Sequence, residues 1–132
     1  MLHHTFKKTE RLTNKKLFES IFEKGQSISV FPFKLIWIET KPDADIPVQL
    51  GISVPKKSFA KAVDRNIIKR RIRESYRKNK HALYEILKKK NLSIALMLIY
   101  IAKEELPYTE IEKKMIVSLQ KLQEKIFIVN II

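Results

Sequence analysis

The sequence predicts one α+β domain in which helices pack on a central sheet, in the order helix, two or three strands, helix, strand, helix. Three stretches predict this order: an aromatic and β-branched one from residue 30, an uninterrupted basic one from residue 60, and an apolar one from residue 93. At 132 residues and 45% apolar content, the chain is long enough to bury one core. Residues 1–132 are therefore treated as one domain, with loose tails expected at 1–11 and about 127–132.

A first helix is predicted after Thr13 or Asn14, because either side chain can accept hydrogen bonds from a helix N-terminus, and Gly25 is expected to end it. Its apolar residues form two adjacent pairs at i, i+4 spacing, Leu17 with Ile21 and Phe18 with Phe22. The first pair is assigned to the core. The Phe pair can be assigned either to the core or to a binding groove. We favour the groove and expect Phe22 to be the more buried of the two.

Two strands are predicted next. Residues 30–39 form the first, and residues 47–54 form the second, which runs antiparallel to it beyond an acid-tipped turn at 41–45. Side chains alternate between the two faces of a strand. One face of the first strand therefore carries Phe31, Phe33, Leu35 and Trp37, and the other carries Pro32, Lys34, Ile36 and Ile38.

The stretch 56–80 holds eleven Lys or Arg against two acids, and so carries most of the net charge of +13. From Ala60 onward it contains no Pro or Gly, and its residue types favour a helix. At 100° per residue, six polar residues fall within an arc of about 140°. We call these six the basic stripe: Arg65, Asn66, Lys69, Arg70, Arg73 and Arg77. Such a stripe, with Val and Ile behind it, is typical of a helix that contacts a phosphate backbone.

Beyond the basic stretch, residues 81–90 predict a short helix. Residues 93–102 predict a strand buried on both faces, because that run is apolar throughout. A last helix follows Pro107. Five of its apolar residues recur at helical spacing and are assigned to the core: Ile111, Met115, Leu119, Leu122 and Ile126.

The basic stretch admits three interpretations: a solvated helix face, a helix that lies on a membrane, and a nucleic-acid interface. A solvated face usually mixes charge signs, whereas the only acids here are Asp64 and Glu74. A membrane helix would carry Trp, Phe or Leu opposite its charges, where this one carries Val and Ile. Frequent Arg also suits phosphate, because the guanidinium can donate two parallel hydrogen bonds. Nucleic acid is therefore favoured.

No catalytic residue and no metal site are predicted in the protein itself. The acids are scattered, there is no Cys, and neither Gly belongs to a phosphate-cradling loop. A small, strongly basic domain without an acid cluster is typical of a binding protein rather than of an enzyme with a small-molecule substrate. Residues 1–13 lack an apolar signal segment, and the longest apolar run is too short for a bilayer, so a cytoplasmic protein without a membrane partner is expected.

The residue types and spacing of the basic stretch resemble the signature of the protein subunit of bacterial ribonuclease P. The matching residues are Lys56-Lys57, Ala62-Val63, Arg65-Asn66, Lys69-Arg70, Arg73-Glu74 and Arg77, preceded by Gly51-Ile52-Ser53-Val54-Pro55. Further matches upstream are Leu17, Phe18, Phe22, Gly25 and Phe33. Two positions depart from the family pattern: Ile67 replaces the second Arg of an Arg-Asn-Arg triplet, and Ile36 replaces a common aromatic residue.

The resemblance implies a fold similar to domain 2 of ribosomal protein S5, with a left-handed β-α-β crossover. It implies that the protein binds ribonuclease P RNA and the 5′ leader of precursor tRNA, while the RNA cleaves the phosphodiester that joins leader to tRNA. The protein alone then holds no cofactor, and the ribonucleoprotein requires Mg²⁺. The alternative is a ribosomal or other structural RNA-binding protein of similar fold.

The resemblance also assigns residues to two surfaces. Contacts with the catalytic RNA are expected from Lys56, Lys57, Lys61, Arg65, Asn66, Lys69, Arg70, Arg73 and Arg77. A cleft for the leader is expected from Phe18, Phe22, Phe33, Lys34 and Ile36. Aromatic faces inside a positive groove suit unstacked bases of single-stranded RNA.

Overall fold

The computed structural model describes residues 10–131, with side chains described through Phe127. The elements follow in the order α1 (Lys15–Lys24), β1 (Gln26–Val30), β2 (Phe33–Thr40), β3 (Val48–Ser53), α2 (Ala62–Asn79), α3 (His81–Lys89), β4 (Ser93–Tyr100) and α4 (Tyr108–Ile131). Within the described range the chain therefore forms four helices and one four-stranded mixed sheet. The predicted α+β class and the order of its elements are confirmed.

The helix α1 begins and ends where the sequence predicts. The Asn14 side chain accepts hydrogen bonds from two backbone N–H groups of the first turn, at 2.9 and 3.3 Å. At the other end Gly25 N donates to Ile21 O at 2.9 Å. A Cβ on Gly25 would lie 2.3 Å from that same oxygen and 2.6 Å from Ile36 Cγ2. Only a residue without a side chain fits at this junction with β1.

The strands lie in the order β1-β2-β4-β3, in which β4 pairs antiparallel with β2 and parallel with β3. The strands β2 and β3 run antiparallel, as predicted, but they do not pair with each other, because β4 lies between them. Seven of the eight residues of β4 are buried. A strand this apolar is stable in the middle of the sheet, where helices cover both faces.

The strand predicted at residues 30–39 is the second half of a hairpin. Val30 pairs with Phe33 across a turn formed by Phe31 and Pro32, and the strand then continues to Thr40 as β2. The first half of the hairpin, β1, is the additional strand that the sequence left open. Pro32 occupies the turn rather than the strand start, which accords with the missing N–H of proline.

Each face of the sheet has its own apolar cluster. The α2 face is covered by α2, α3 and α4, and its buried residues include Phe33, Leu35 and Trp37. The α1 face is covered by α1, and its buried residues include Ile21, Ile36 and Met97. The predicted alternation is therefore confirmed from Phe33 to Ile38, whereas Phe31 and Pro32 lie in the turn before β2. The five residues assigned to the core of the last helix are buried on the α2 face: Ile111, Met115, Leu119, Leu122 and Ile126.

The connection from β3 to β4 runs through α2 and α3 and joins two parallel neighbours, which makes it a β-α-β crossover. The predicted basic helix and short helix are confirmed as α2 and α3. The handedness of the crossover stays a prediction of the family resemblance.

The segment that precedes α1 is fixed to the edge of the sheet. Leu12 N donates to Leu50 O at 2.9 Å, and Arg11 forms a parallel bridge with Leu50. Glu10 accepts two hydrogen bonds from Lys80 Nζ, at 2.8 and 3.0 Å, in a buried ion pair. The expectation of a loose segment through residue 11 is therefore wrong for Glu10 and Arg11, while residues 1–9 lie outside the described residues.

A buried polar cluster surrounds that ion pair at the junction of α2 and α3. Lys80 Nζ lies 5.0 Å from the centre of the Tyr84 ring, and Tyr84 Oη lies 3.1 Å from Tyr76 Oη. Burial raises the pKa of both tyrosines. At the other end of the chain, the α4 backbone continues to Ile131, so residues 127–131 extend a helix instead of forming the expected loose tail.

Replacing Lys80 with Met removes the charge that pairs with Glu10 but keeps most of the side-chain volume. A buried carboxylate that loses its cation costs about 3–5 kcal/mol of unfolding free energy, and urea melts measure this loss. Lys78→Met is the matched control: Lys78 is exposed and 4.0 Å from Glu74, so its loss costs under about 1 kcal/mol. Equal losses for the two variants would show that the Glu10–Lys80 pair does not anchor the N-terminal segment.

Candidate nucleic-acid interface

The basic stripe lies on the side of α2 that faces away from the core. Four residues of α2 are fully buried on the opposite side: Ile68, Ile72, Ser75 and Tyr76. In the stripe, Asn66, Arg70 and Arg73 are exposed, whereas Arg65, Lys69 and Arg77 are half-buried. The predicted stripe therefore exists as a continuous surface, but its members differ in how freely they can reach a ligand.

Part of the Arg65 guanidinium is already hydrogen-bonded within the fold. Its Nη1 donates to the carbonyl oxygens of Phe59 and Ala60, each at 2.9 Å. These two bonds hold the loop that leads into α2, and they use one of the three guanidinium nitrogens. Arg65 can therefore bind a phosphate with its remaining donors while it fixes the start of the helix.

Arg77, at the far end of the stripe, forms an ion pair within the helix. Its Nε lies 3.1 Å from Glu74 Oε2, and Lys78 Nζ lies 4.0 Å from the same carboxylate. The hydrogen bond from Arg77 lowers the pKa of Glu74 and raises the pKa of Arg77. Arg77 is thus the stripe residue whose charge is most nearly neutralised, and the excess positive charge of the stripe is centred N-terminal to it, on Arg70 and Arg73.

The three lysines predicted to face RNA outside the stripe lie in the connection from β3 to α2. Lys56 and Lys57 are exposed three and four residues after β3 ends. Lys61 is exposed and occupies the N-cap position of α2. They therefore extend the positive surface from the helix towards the end of β3.

Ile67, which departs from the family triplet, lies outside the stripe and is half-buried. It occupies the flank of α2 that carries Arg71, whose Nη1 contacts Glu105 Oε1 at 3.0 Å and Leu106 O at 2.8 Å. This flank packs against the segment before α4. The departure therefore removes no charge from the stripe itself.

The sheet face beneath α1 is covered only in part. The strand register aligns Ile36 with Met97 and Gly51 in one row, and Lys34 with Ile99 and Ser53 in the next. The first of these rows lies under α1. The second row, which Ser29 of β1 extends, is exposed or half-buried. We call this second row the open strip: Ser29, Lys34, Ile99 and Ser53.

The two phenylalanines of α1 lie on the flank that faces the open strip. Leu17, on the other flank, lines a cavity of about 460 Å³ together with Thr40 and Gln49. Phe18 is half-buried and packs on the α1-face cluster, whereas Phe22 is 59% exposed. The expectation that Phe22 is the more buried of the two is therefore wrong.

The buried part of Phe18 packs above Gly51 of β3. A Cβ on Gly51 would lie 2.4 Å from Met97 Sδ and 3.4 Å from Phe18 Cε1. The Phe18 ring thus lies within contact distance of the β3 backbone. Phe22, one turn later, remains open to solvent.

The other three residues predicted for the leader cleft have different positions. Lys34 is exposed on the open strip, and Ile36 is buried beneath α1 at 8% exposure. Phe33 is fully buried on the α2 face, where its ring packs edge-on against Tyr100 with centroids 6.3 Å apart. Its assignment to the cleft is therefore wrong, because both of its faces are taken by the core. The alternation along β2 already placed Phe33 opposite Lys34.

Sequence reasoning missed Ile99 and Ser53 as part of this surface. Alternation along β4 puts Ile99 on the α1 face with Met97, but the pairing of β4 with β2 is needed to place it beside Lys34. Ser53 is the last residue of β3 and lies three residues before Lys56. The open strip therefore ends next to the positive surface of α2.

The described residues contain no group of three or more His, Cys, Asp or Glu placed to hold a metal ion. Several acids are instead paired with cations: Glu10 with Lys80, Glu74 with Arg77, and Glu105 with Arg71. Among residues 10–131, no helix is both long and apolar enough to cross a bilayer. The most extensive functional feature is thus a positive helix beside a partly open sheet face.

A family model for ribonuclease P matches residues 6–123, which span α1 to most of α4. The chain belongs to the ribonuclease P protein family. A curated ribonuclease P protein component from Porphyromonas gingivalis is 29% identical over 115 residues, which cover 87% of this chain and 84% of that protein. One from Petrotoga mobilis is 43% identical over 76 residues, or 58% of this chain and 61% of that protein.

Solved structures of ribonuclease P proteins have the same fold. The protein from Thermotoga maritima superposes with a TM-score of 0.66 at 26% identity, covering 84% of this chain and 96% of that one. The protein from Staphylococcus aureus gives a TM-score of 0.60, also at 26% identity, covering 86% of this chain and 94% of that one. The ribonuclease P resemblance read from the sequence is therefore confirmed over nearly the whole chain.

As a ribonuclease P protein component, the chain is one subunit of an endoribonuclease that acts in tRNA processing. Its general partners are ribonuclease P RNA and a tRNA substrate. Membership of this family rules out the alternative of a ribosomal protein.

The different positions of Phe33 and Phe22 predict different effects on stability. Phe33→Ala leaves a cavity in the core and should lower the unfolding free energy by about 3–5 kcal/mol. Phe22→Ala should cost less than about 1 kcal/mol, because that ring is mainly solvent-exposed. Urea melts of the two variants check this, and a loss above about 2 kcal/mol for Phe22→Ala would contradict the exposed position of its ring.

Proposed function

We propose that this chain binds ribonuclease P RNA through the basic stripe together with Lys56, Lys57 and Lys61, and holds the 5′ leader of precursor tRNA along the open strip. The observation that carries the proposal is the juxtaposition of two surfaces. An exposed aromatic ring on α1 overlooks a strip of sheet that α1 leaves uncovered, and this strip ends beside the lysines that lead into α2.

The stripe supports binding of a folded RNA. Three exposed residues on successive turns of α2, Asn66, Arg70 and Arg73, can follow a phosphate backbone. Each phosphate that Arg70 or Arg73 neutralises releases condensed counterions, which is the main source of affinity in such complexes, whereas the neutral Asn66 can contribute only hydrogen bonds. Arg77 contributes less, because Glu74 already shares its charge.

The open strip supports binding of a single strand. Unpaired bases present flat faces that stack on aromatic rings, and Phe22 offers such a face. Lys34 adds a positive charge on the floor of the strip, and the hydroxyls of Ser29 and Ser53 can form hydrogen bonds with sugars or bases. The leader would thus lie between α1 and the loop that begins α2.

Cleavage is assigned to the RNA subunit, and the Mg²⁺ that the ribonucleoprotein requires is assigned to the RNA as well. The donor set of this chain does not fit a Mg²⁺ site, which needs carboxylates that are close together and available. The acids around the interface are engaged in ion pairs with Lys or Arg. The role of the protein is therefore to bind and orient, and a cytoplasmic location follows from the tRNA substrate.

Phe22→Ala should weaken binding of a precursor that carries a leader by about 1–3 kcal/mol, the typical contribution of one stacked base. Affinity for mature tRNA should stay unchanged, because it has no leader. Both affinities are measured with the reconstituted ribonucleoprotein. Phe127→Ala is the matched control, since Phe127 is similarly exposed, at 52%, but lies on α4.

Two outcomes would count against the leader assignment: equal weakening for both RNAs, or a comparable loss in the Phe127 variant. The assignment of chemistry has its own check. The purified protein alone should leave precursor tRNA uncut at every Mg²⁺ concentration, and cleavage at the mature 5′ end should require added ribonuclease P RNA.

The affinity for ribonuclease P RNA should fall steeply with salt concentration. Arg70→Ala should flatten the slope of log affinity against log salt by about 0.7–0.9, the value for one phosphate contact. Lys41→Ala should leave the slope unchanged, because Lys41 lies in the loop between β2 and β3, away from α2. Filter binding over a salt series measures both. Similar changes in the two variants would mean that the charge acts diffusely and that no defined stripe exists.

A further inference from the structure

The open strip continues beyond the sheet into a groove between β1 and α4. Ser29, the residue at the β1 end of the strip, lines a cavity of about 320 Å³ together with Ile28, Lys121, Glu124 and Lys125. Ile28 and Ser29 are neighbours on β1 and point to opposite faces of the sheet, so the cavity follows the outer edge of that strand. The helix α4 forms its other wall. We call this cavity the edge groove.

The outer edge of β1 is accessible to a ligand. This strand is the first in the sheet order, and within residues 10–131 no other strand pairs with its outer side. An edge strand presents backbone N–H and C=O groups that a ligand can use. Three of its five side chains are polar and exposed: Gln26, Ser27 and Ser29. The opposite edge differs, because Leu12 N donates to Leu50 O there at 2.9 Å.

The edge groove carries positive charge that the fold does not use. Lys121 and Lys125 are exposed and one turn apart on α4, so both side chains project from the same side of the helix. Neither forms an ion pair with any residue whose side chain is described. Glu124 also lines the groove, and Glu39 lines a smaller pocket with Lys125. Lys121 is thus the lysine with fewer acids around it.

We propose that the edge groove binds the distal part of the 5′ leader, the nucleotides farthest from the cleavage site, with Lys121 and Lys125 on their phosphates. The inference rests on the proposed leader strip and extends its path to α4. The β3 end of the strip adjoins the lysines before α2, which belong to the surface proposed for the catalytic RNA. Nucleotides close to the cleavage site therefore lie at that end, and more distant ones reach Ser29.

The width of the sheet sets the leader length at which this contact begins. The strip crosses four strands, which at about 4.8 Å spacing is a distance of about 14 Å. A stacked strand advances about 3.4 Å per nucleotide, so about four nucleotides occupy the strip. A leader of about two nucleotides ends within the strip, whereas one of about ten passes the edge of β1 and reaches α4.

Affinities for precursors with these two leader lengths, measured with the reconstituted ribonucleoprotein, test the proposal. The double variant Lys121→Gln/Lys125→Gln should weaken binding of the long-leader precursor about four- to tenfold, as expected for two exposed charge contacts of about two- to threefold each. Binding of the short-leader precursor and of mature tRNA should stay unchanged. Lys88→Gln/Lys113→Gln is the matched control: it removes the same charge from exposed residues outside the groove and should change none of the three affinities.

Glu124→Gln supplies a second test that loss of folding cannot imitate. It removes the acid that lines the groove and should strengthen binding of the long-leader precursor about two- to threefold, without effect on the short one. Equal changes for both leader lengths, an equal loss in the control variant, or no gain for Glu124→Gln would each overturn the proposal. If the wild-type ribonucleoprotein binds the long-leader precursor no more tightly than mature tRNA, the proposed leader strip itself fails, which separates the two conclusions.

Discussion

The strand β4 carries apolar side chains to both faces of the sheet, and each face must be covered by different helices. The α2 face receives three helices, and its residues are almost completely buried. The α1 face receives one helix of 10 residues, about 15 Å long. Such a helix is about 10 Å across, whereas strands of eight residues are about 26 Å long, so one helix covers only part of their length. The open strip is therefore a direct result of how unequally the two faces are covered.

The cations of α2 also differ between the side of the helix that faces the fold and the side that faces solvent. On the inner flanks of α2, cations are paired: Arg71 with Glu105, and Lys80 with Glu10. These pairs attach the helix to the segment before α4 and to the N-terminal segment. The outer side of α2 keeps an excess of positive charge, centred on Arg70 and Arg73. One helix thus combines attachment to the fold with a surface suited to a polyanion.

The elements with strong periodicity were predictable from sequence, and the pairing between them was not. The helix α2 lacks Pro and Gly over 18 residues, and β4 is apolar throughout, so each was identified by local pattern. The neighbours β2 and β4 are separated by more than 50 residues, and only the burial of β4 on both faces could have suggested its central place. The short loop between β2 and β3 suggested instead that these two strands pair with each other.

Of the candidate site, the stripe was predictable because helical spacing alone defines it. The groove was predictable only in part. Phe22 and Lys34 are accessible, but Phe33 was carried over from a family pattern against the alternation of β2. Ile99 and Ser53 required the strand register.

The attachment of α1 at both ends has a consequence for how this protein can evolve. Its N-terminal side is bonded to the edge of β3 through Leu12, and its C-terminal side enters β1 directly through Gly25. An insertion or deletion at either junction would shift the helix across the sheet and change the width of the strip beside it. The loop at residues 41–47, by contrast, is largely exposed and tolerates changes in length. Divergence in substrate preference should therefore proceed by exchange of accessible side chains such as Lys34 and Phe22, at constant spacing between residues 12 and 26.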